Sequence, residues 1–325
     1  MKAQQLHSFD GPDALRLVDI EVPRDPEKVL IAVHAAGVSY PDLLFTYGRY
    51  QDVPELPYTP GLEVAGIVES APPNSGFASG DRVAAYTFSE GGYAEYALAS
   101  PQFVFKIPSD LEFSRAAASV VNYHTAHFSL RRRARLTDGE TVLIHGAAGG
   151  LGSAAIQVAK GFGCRVIGLA SSEQKQRIAQ ACGADLVLRL EDGWVAKVRE
   201  ATDGRGVDLV YDPVGGPEFV NSLRSLAPDG RVVVVGFASG EIPTVKLNRL
   251  LLGNTSVLGA VWQPFIAVEP GIIEAAAHDL ADMTARGIIA PVVGSRYPLG
   301  DAPMALKEIE ERRAAGKVVL DVLAT

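Results

Sequence analysis

The first third of the chain alternates short apolar runs with glycine and proline. Four such runs lie at residues 28–34, 64–70, 81–87 and 94–99, each bounded by turn-forming residues. Closely spaced apolar segments with turns between them are typical of antiparallel sheets. The sequence therefore predicts a β-rich domain in this part of the chain.

From about residue 122 the pattern changes to apolar strands that alternate with helices of ten or more residues. These strands are rich in Val and nearly all apolar, as strands buried on both faces of a parallel sheet are. The order of elements indicates an α/β domain with a Rossmann-type, doubly wound parallel sheet. Six strands are predicted, at residues 141–145, 165–169, 186–188, 207–212, 231–236 and 255–260.

The last part of the chain does not extend this six-strand pattern. Two helical segments, at residues 271–286 and 301–314, precede a closing apolar strand at 317–323. We assign these elements to the first domain, so that the parallel-sheet domain is inserted into a β-rich one. The predicted division is residues 1–121 and 122–262, with 263–325 as the return segment of the first domain.

Composition and charge narrow the functional class. The chain has 325 residues, with 30 Lys and Arg against 38 Asp and Glu and a net charge of −8. A protein that binds a nucleic-acid backbone is usually basic, so nucleic-acid binding is not expected despite the local basic run at residues 131–135. Cys164 and Cys182 are too few for a four-cysteine metal cluster. With no signal-peptide pattern and no apolar run of membrane-spanning length, we expect a cytoplasmic protein.

Residues 141–160, TVLIHGAAGGLGSAAIQVAK, join a buried strand to a helix through a glycine-rich loop. Free N–H groups at the start of such a helix, together with its dipole, bind phosphate groups. Gly149 allows the backbone to approach a pyrophosphate, and Gly152 allows close packing of the helix on the sheet. Ala147 stands where the common pattern has its first glycine. We predict dinucleotide binding by Ala148, Gly149, Gly150, Leu151 and Gly152.

The end of the second predicted strand bears on the choice between NAD and NADP. An acidic residue there binds the ribose 2′-hydroxyl of NAD. This chain has Ala170 at that position, followed by Ser171, Ser172 and Lys175. Hydroxyl groups and a cation suit a 2′-phosphate, so these residues favour NADPH. The acidic residue Glu173 argues against a 2′-phosphate at this place, and whether NADH is also used stays open.

Blocks spread over nearly the whole chain resemble one family. They are AAGVSYPDLLFTYGRYQ at 35–51, LPYTPGLEVAGIV at 56–68, the glycine-rich loop, YDPVGGPEF at 211–219 and GKVVL at 316–320. In this order they resemble the zinc-independent quinone oxidoreductases related to zeta-crystallin, in the medium-chain dehydrogenase/reductase superfamily. The resemblance implies a GroES-like catalytic domain from both chain ends, a Rossmann domain, and NADPH in a cleft between them. It also implies a homodimer through the last Rossmann strand, at 255–262.

Two positions separate the chain from zinc-dependent relatives. Those relatives place a Cys and a His where this chain has Ser39 and Leu62, and neither side chain is a usual zinc ligand. We expect no metal. Without a Lewis acid, hydride transfer from NADPH to a small quinone or α,β-unsaturated carbonyl, followed by protonation, is favoured. The alternatives are reduction of an enoyl or acryloyl CoA ester, and a catalytically weak crystallin-like or vesicle-associated NADPH-binding protein.

The resemblance also assigns site residues. Ser39 replaces a frequent Asn, and Leu44 replaces a frequent active-site Tyr, so Tyr50 or a bound water becomes the candidate proton donor. The expected catalytic residues are Tyr50, Ser39 and Asp42. Arg189 is expected to bind the 2′-phosphate, because relatives often use a Tyr that this chain lacks. The other expected cofactor contacts outside the glycine-rich loop are Asn122, Thr125, Ser171, Ser172, Lys175, Val214, Gly236, Phe237 and Lys317.

Overall fold

The computed structural model describes residues 1–88 and 90–323. The chain divides into two compact units, Met1–Val121 with Pro291–Thr325, and Asn122–Ala290. The first is β-rich and the second alternates strands with helices, which confirms the predicted fold class. Residues 324 and 325, which end the predicted return segment, lie outside the described residues. Over the described ranges, no helix is long and apolar enough to cross a membrane.

Strands and helices are numbered in chain order. The strands are β1 Lys2–Leu6, β2 Leu15–Asp19, β3 Val29–Val38, β4 Glu63–Ser70, β5 Arg82–Tyr86, β6 Tyr96–Ala99, β7 Val104–Lys106, β8 Thr141–Ile144, β9 Arg165–Ala170, β10 Leu186–Arg189, β11 Val207–Asp212, β12 Leu226–Val234, β13 Ser256–Gly259, β14 Val293–Pro298 and β15 Lys317–Asp321. The α-helices are α1 Tyr40–Thr46, α2 Phe113–Ala117, α3 Val120–His127, α4 Gly150–Gly161, α5 Glu173–Ala181, α6 Trp194–Ala201, α7 Phe219–Ser225, α8 Asn248–Gly253, α9 Ile272–Ala285 and α10 Ala302–Glu310.

The first unit is built on a seven-stranded sheet. Its order is β14-β15-β3-β4-β5-β7, with β6 also pairing β3, and β1 and β2 form a separate antiparallel pair. Neighbouring strands of the large sheet are antiparallel except β14 and β15. The closing strand β15 is therefore an internal strand of this sheet. Its Val318 and Leu320 are buried in the same core as Ile31 and Val83.

The second unit carries six parallel strands in the order β10-β9-β8-β11-β12-β13. This is the order of doubly wound dinucleotide-binding sheets, which bind ligands beyond the carboxyl ends of their strands. Leu143, Ile167, Val210 and Val232 are fully buried in the core of this unit. The direction of strand order reverses between β8 and β11, so the loops after these two strands are neighbours.

β12 begins at Leu226, earlier than the predicted start at residue 231. Leu226 pairs with Val207, and the register then shifts so that Arg231 pairs with Leu209. Between them Asp229 adopts φ 64, in the left-handed region. Asp tolerates this region and favours turns. The turn residues before position 231, which indicated the start of a strand, thus lie inside β12, where the pairing is irregular.

Residues 263–290 belong to the parallel-sheet unit, whereas we predicted them in the first domain. Gln157 of α4 holds Ala290 by two hydrogen bonds, from Nε2 to the carbonyl at 3.0 Å and from the Ala290 N–H to Oε1 at 2.9 Å. His127 Nε2 lies 2.8 Å from Asp279 Oδ2 on α9. The predicted boundary was misplaced because helical periodicity shows that α9 has an apolar face, but not which unit it packs on.

Candidate active site

α1 begins directly after β3, and Asp42 fixes this junction. The N–H of Ser39, the N-cap residue, donates to Asp42 Oδ2 at 2.8 Å, and the N–H of Gly61 donates to Oδ1 at 3.1 Å. Burial raises the pKa of Asp42 to about 7, against the lowering effects of the Ser39 N–H and the Lys317 ammonium. Asp42 has no exposed surface. Asp42 therefore stabilises the start of α1 through its bond to the N-cap residue, and its expected catalytic role stays a prediction.

A buried ion pair lies next to Ser39. The Lys317 ammonium, on the first residue of β15, pairs with Glu63 Oε1 on β4 and donates to Ser39 Oγ at 2.6 Å. Glu63 Oε2 accepts from the Val121 N–H at 2.7 Å. Glu63 is fully buried, whereas Ser39 and Lys317 keep 6% and 4% of their surfaces exposed. The ammonium that we expected at the cofactor is thus bound to Glu63 and Ser39.

The backbone around the ion pair leaves room for it. Gly37 lies opposite Glu63 in the register of β3 and β4. An ideal Cβ on Gly37 would lie 2.6 Å from Glu63 Oε1, so only glycine admits the carboxylate there. Burying opposite charges is costly unless both are also hydrogen-bonded. The Ser39 hydroxyl and the Val121 N–H provide those bonds.

Tyr50 lies on the loop after α1, half-buried against Phe45 with ring centroids 4.7 Å apart. Burial raises the pKa of the Tyr50 hydroxyl, and the charges of Asp42 and Asp52 raise it further. A higher pKa makes the phenol a weaker acid, which counts against Tyr50 as a proton donor near neutral pH. Of the three expected catalytic residues, Ser39 and Asp42 are in direct contact.

Three glycines shape the loop between β8 and α4. Gly146, directly after β8 and His145, adopts φ 58, which favours glycine. The N–H of Gly149, the N-cap of α4, donates to the Gly146 carbonyl at 2.9 Å. An ideal Cβ on Gly152 would overlap that same carbonyl oxygen, so glycine is needed for this close approach. Gly146 was not among the predicted site residues, although a glycine just after a buried strand was an available signal.

The start of α4 forms a cradle that fits a phosphate group. The N–H groups of Gly150 and Leu151 lie in the first turn, where an α-helix provides no carbonyl to bind them. The nearest atom to an ideal Cβ on Gly149 is the Gly146 carbonyl oxygen at 3.4 Å, so the outer side of the loop is open. Asn122 packs against the other side, with Nδ2 2.6 Å from an ideal Cβ on Gly150. Helix N–H groups and open space suit a dinucleotide pyrophosphate.

Other residues of the loop and of α3 are more enclosed. Ala148 is buried, with 2% of its surface exposed. Thr125 Oγ1 on α3 accepts a hydrogen bond from Trp262 Nε1 at 3.1 Å. A hydroxyl that accepts one bond can still donate another, so Thr125 keeps a donor for a ligand.

The loops after β11 and β12 lie at the same edge of the sheet as the glycine-rich loop. Asp212 Oδ1 accepts from the N–H groups of Val214 at 2.8 Å and Gly215 at 2.9 Å, which turns the chain after β11. Backbone hydrogen bonds join this turn to the loop that carries Gly236 and Phe237. The expected contacts Val214, Gly236 and Phe237 are therefore on adjacent loops.

Polar residues gather where β9 and β10 end. Arg189 pairs with Ala170 in the strand register, so the exposed guanidinium lies one strand away from Ser171. Ser172 is the N-cap of α5, and its Oγ accepts from the Lys175 N–H at 3.3 Å. Ser171 is exposed and has no capping role. A hydroxyl and a guanidinium thus stand at the edge where a 2′-phosphate is expected.

The expectation of no metal rests on the side chains at Ser39 and Leu62. Leu62 is buried and apolar, and Ser39 Oγ accepts from an ammonium. Among residues 1–88 and 90–323, no group of three or more His, Cys, Asp or Glu side chains is arranged to hold a metal ion.

Comparison with known proteins identifies the family. Residues 25–109 match the alcohol dehydrogenase GroES-like domain, and residues 150–277 match the family described as zinc-binding dehydrogenase. The quinone oxidoreductase of Lama guanicoe is 37% identical over 325 residues, which cover 98% of this chain and 97% of that relative. The chain belongs to the quinone oxidoreductase family of the medium-chain dehydrogenase/reductase superfamily. The resemblance drawn from the sequence blocks is confirmed.

Two solved structures are similar to this chain over nearly its whole length. A probable oxidoreductase from Mycobacterium abscessus is 41% identical with a TM-score of 0.90, covering 99% of both chains. The Escherichia coli quinone oxidoreductase, solved in complex with NADPH, is 30% identical with a TM-score of 0.88, covering 99% of this chain and 100% of that one.

The close approach at Gly152 leads to a stability prediction. We expect Gly152→Ala to lower the free energy of unfolding by about 1–3 kcal/mol, because the new methyl group overlaps the Gly146 carbonyl in the loop after β8. Gly149→Ala is the matched control, since its φ of −78° suits alanine, and we expect a change within about 0.5 kcal/mol. Urea unfolding followed by tryptophan fluorescence measures both. Equal stability of the two variants would contradict the packing role of Gly152.

Proposed function

We propose that the protein is an NADPH-dependent oxidoreductase that transfers hydride to a quinone or an α,β-unsaturated carbonyl without a catalytic metal. The observation that carries the proposal is the cradle at the start of α4, where Gly152 brings the helix against the Gly146 carbonyl. Membership in the quinone oxidoreductase family and a relative solved with NADPH support it. The side chains at Ser39 and Leu62 support reduction without zinc.

The cofactor supplies a hydride from its nicotinamide ring when it is bound. The Gly150 and Leu151 N–H groups bind the pyrophosphate, assisted by the dipole of α4. The loop that carries Val214 would line the adenosine and pyrophosphate side of the site, and the loop that carries Gly236 would lie by the nicotinamide ribose. These assignments follow from the position of each group at the carboxyl edge of the parallel sheet.

The 2′-phosphate is bound by Ser171, Lys175 and Arg189. The guanidinium provides a charge-assisted hydrogen bond, and the exposed Ser171 hydroxyl a further one. Ser172 contributes less, because its Oγ already accepts from the Lys175 N–H. Absence of an acidic side chain at Ala170 removes repulsion toward the phosphate.

The function is tested by measuring loss of NADPH absorbance with a panel of benzoquinones, naphthoquinones, enones and acryloyl-CoA, alongside calorimetry of NADPH binding. We expect binding and turnover of quinones or enones. Turnover confined to acryloyl-CoA would support a CoA-ester reductase instead. Binding without turnover of any acceptor would support the weakly catalytic, crystallin-like alternative, and failure to bind NADPH would contradict the proposal.

Arg189 determines the preference for NADPH over NADH. We expect Arg189→Ala to weaken NADPH binding about 10-fold or more, the effect of losing a hydrogen bond to a charged group, with NADH binding unchanged. Arg165→Ala is the matched control, because Arg165 is an exposed arginine at the opposite end of β9. Calorimetry with both cofactors measures the effect. An equal loss for NADPH and NADH would show that Arg189 does not recognise the 2′-phosphate.

The homodimer remains a proposal, and exposed apolar residues near β13 support it. In the described sheet β13 is an edge strand, with Val257 37% exposed and Val261 50% exposed. α8 has no buried residue, and its Leu251 and Leu252 are 76% and 80% exposed. An unpaired edge and exposed apolar side chains are features of association surfaces. We propose that a second copy of the chain covers them.

Disrupting this surface should change the oligomeric state. We expect the double variant Leu251→Ser and Val257→Lys to be monomeric, because it removes an apolar contact and adds a charge on the edge strand. Leu17→Ser is the control, since Leu17 is a 46% exposed residue of the first unit. Multi-angle light scattering gives the mass. A wild-type protein that is already monomeric, or a dimeric double variant, would contradict the proposal.

A further inference from the structure

We propose that Ser39 donates the proton that completes reduction of the acceptor, and that Lys317, held by Glu63, supplies this proton to Ser39. The inference rests on the proposed function, because it requires an acceptor that gains negative charge. It assigns the donor role to Ser39 instead of Tyr50, and it gives Lys317 a role other than binding the cofactor.

The hydrogen-bond pattern fixes the direction in which the Ser39 hydroxyl acts. The Lys317 ammonium can only donate, so at 2.6 Å the Ser39 oxygen is the acceptor. The Ser39 hydroxyl donates in turn to Glu63 Oε1, but at 3.4 Å this bond is long compared with about 2.5–3.0 Å for an ordinary O–H···O bond. An acceptor oxygen at ordinary hydrogen-bond distance would therefore replace it as the partner of the Ser39 hydrogen.

Charge makes this hydroxyl a stronger donor than an ordinary serine. A hydrogen bond from a cation withdraws electron density from the Ser39 oxygen, and an alkoxide formed there would lie next to the ammonium of Lys317. Protein dipoles and charges that are fixed before reaction stabilise a developing negative charge effectively. The Glu63 carboxylate, anchored by the Val121 N–H, holds the ammonium in this position.

The proposed donor, Ser39, is slightly more exposed than the residues around it. Glu63 and Asp42 have no exposed surface, whereas Ser39 keeps 6% and Lys317 keeps 4%. Ser39 is therefore the most exposed member of this group, and an acceptor would meet it before either carboxylate. Ser39 also accepts a hydrogen bond from a cation, whereas burial raises the pKa of the Tyr50 hydroxyl and so opposes its ionisation.

The proton transfers balance for a quinone. Addition of hydride leaves the quinone as a hydroquinone monoanion. The phenolate oxygen then takes the hydrogen of Ser39 as the O–H bond breaks, and the Ser39 oxygen takes a proton from Lys317 Nζ. The hydroquinone leaves neutral, Ser39 is restored, and Lys317 is a neutral amine beside Glu63. A proton from water returns Lys317 to the ammonium, so NADPH and the quinone are the sole redox partners.

The first test compares variants of Ser39 in turnover. We expect Ser39→Ala to lower kcat for a quinone by about 100-fold, the usual range for loss of a general acid, with a much smaller change in KM. Ser39→Thr restores a hydroxyl and should recover part of the lost kcat. Ser100→Ala is the matched control, because Ser100 is the N-cap of the short 3₁₀-helix Pro101–Phe103 of the same unit and makes no side-chain capping bond.

The second test does not depend on turnover. 4-Nitrophenol, whose yellow phenolate resembles the hydroquinone monoanion, is titrated into the protein saturated with NADP⁺, and the bound phenolate fraction is measured by absorbance. We expect the wild-type protein to raise this fraction above that of free 4-nitrophenol at the same pH. Ser39→Ala should lose the effect, as should the double variant Glu63→Gln and Lys317→Met, which avoids leaving a buried charge unpaired.

The outcomes distinguish this inference from the proposed function. Wild-type kcat and a wild-type phenolate fraction in Ser39→Ala would overturn the donor role, even if quinones are reduced. If no acceptor is turned over, the proposed function fails, and the phenolate titration still decides whether Ser39 and Lys317 stabilise an oxyanion. Thermal unfolding of each variant confirms that a changed result does not reflect loss of the fold.

Discussion

The ammonium of Lys317 and the carboxylate of Glu63 are buried together, and the surrounding parts of the first unit are arranged so that this burial is tolerated. Removing each ion from water costs several kcal/mol in a protein, which their attraction offsets only with good geometry and further hydrogen bonds. Gly37 leaves space for the carboxylate, and the N–H of Val121 and the hydroxyl of Ser39 complete the hydrogen bonds. The geometry of Ser39 is therefore determined by the fold before any ligand arrives.

Much of the fold could be predicted from the sequence, because strands buried on both faces leave a clear apolar pattern. The strand Val207–Asp212 has the predicted bounds. β12 was misjudged, because Asp229 takes a left-handed conformation inside the strand and so resembles a turn between elements. The assignment of residues 263–290 failed for another reason. The contacts of Gln157 with Ala290 are formed by a polar side chain distant in sequence, and periodicity carries no information about them.

The candidate site was predictable where its geometry is local. Gly149 and Gly152 belong to one strand, loop and helix, so their spacing in sequence reflects their spacing in the structure. The Ser39, Glu63 and Lys317 cluster is different, because the pairing of β15 and β4 with β3 brings together residues that are far apart along the chain. The family motif that contains Lys317 indicated a functional residue near the cofactor. The motif alone could not show that the Lys317 ammonium pairs with a carboxylate.

The position of β15 inside its sheet bears on how the protein is made. A ribosome releases the parallel-sheet unit, Asn122–Ala290, before β14 and β15 emerge, and domains generally fold as units in the order of synthesis. The first unit cannot complete its sheet at that stage, because residues Ala35 to Val38 of β3 pair with β15. Until then this stretch of β3 presents unpaired backbone groups of the kind that promote aggregation. The nascent chain can thus assemble its parallel-sheet unit well before Lys317 reaches Glu63, and the sheet of the first unit is completed later.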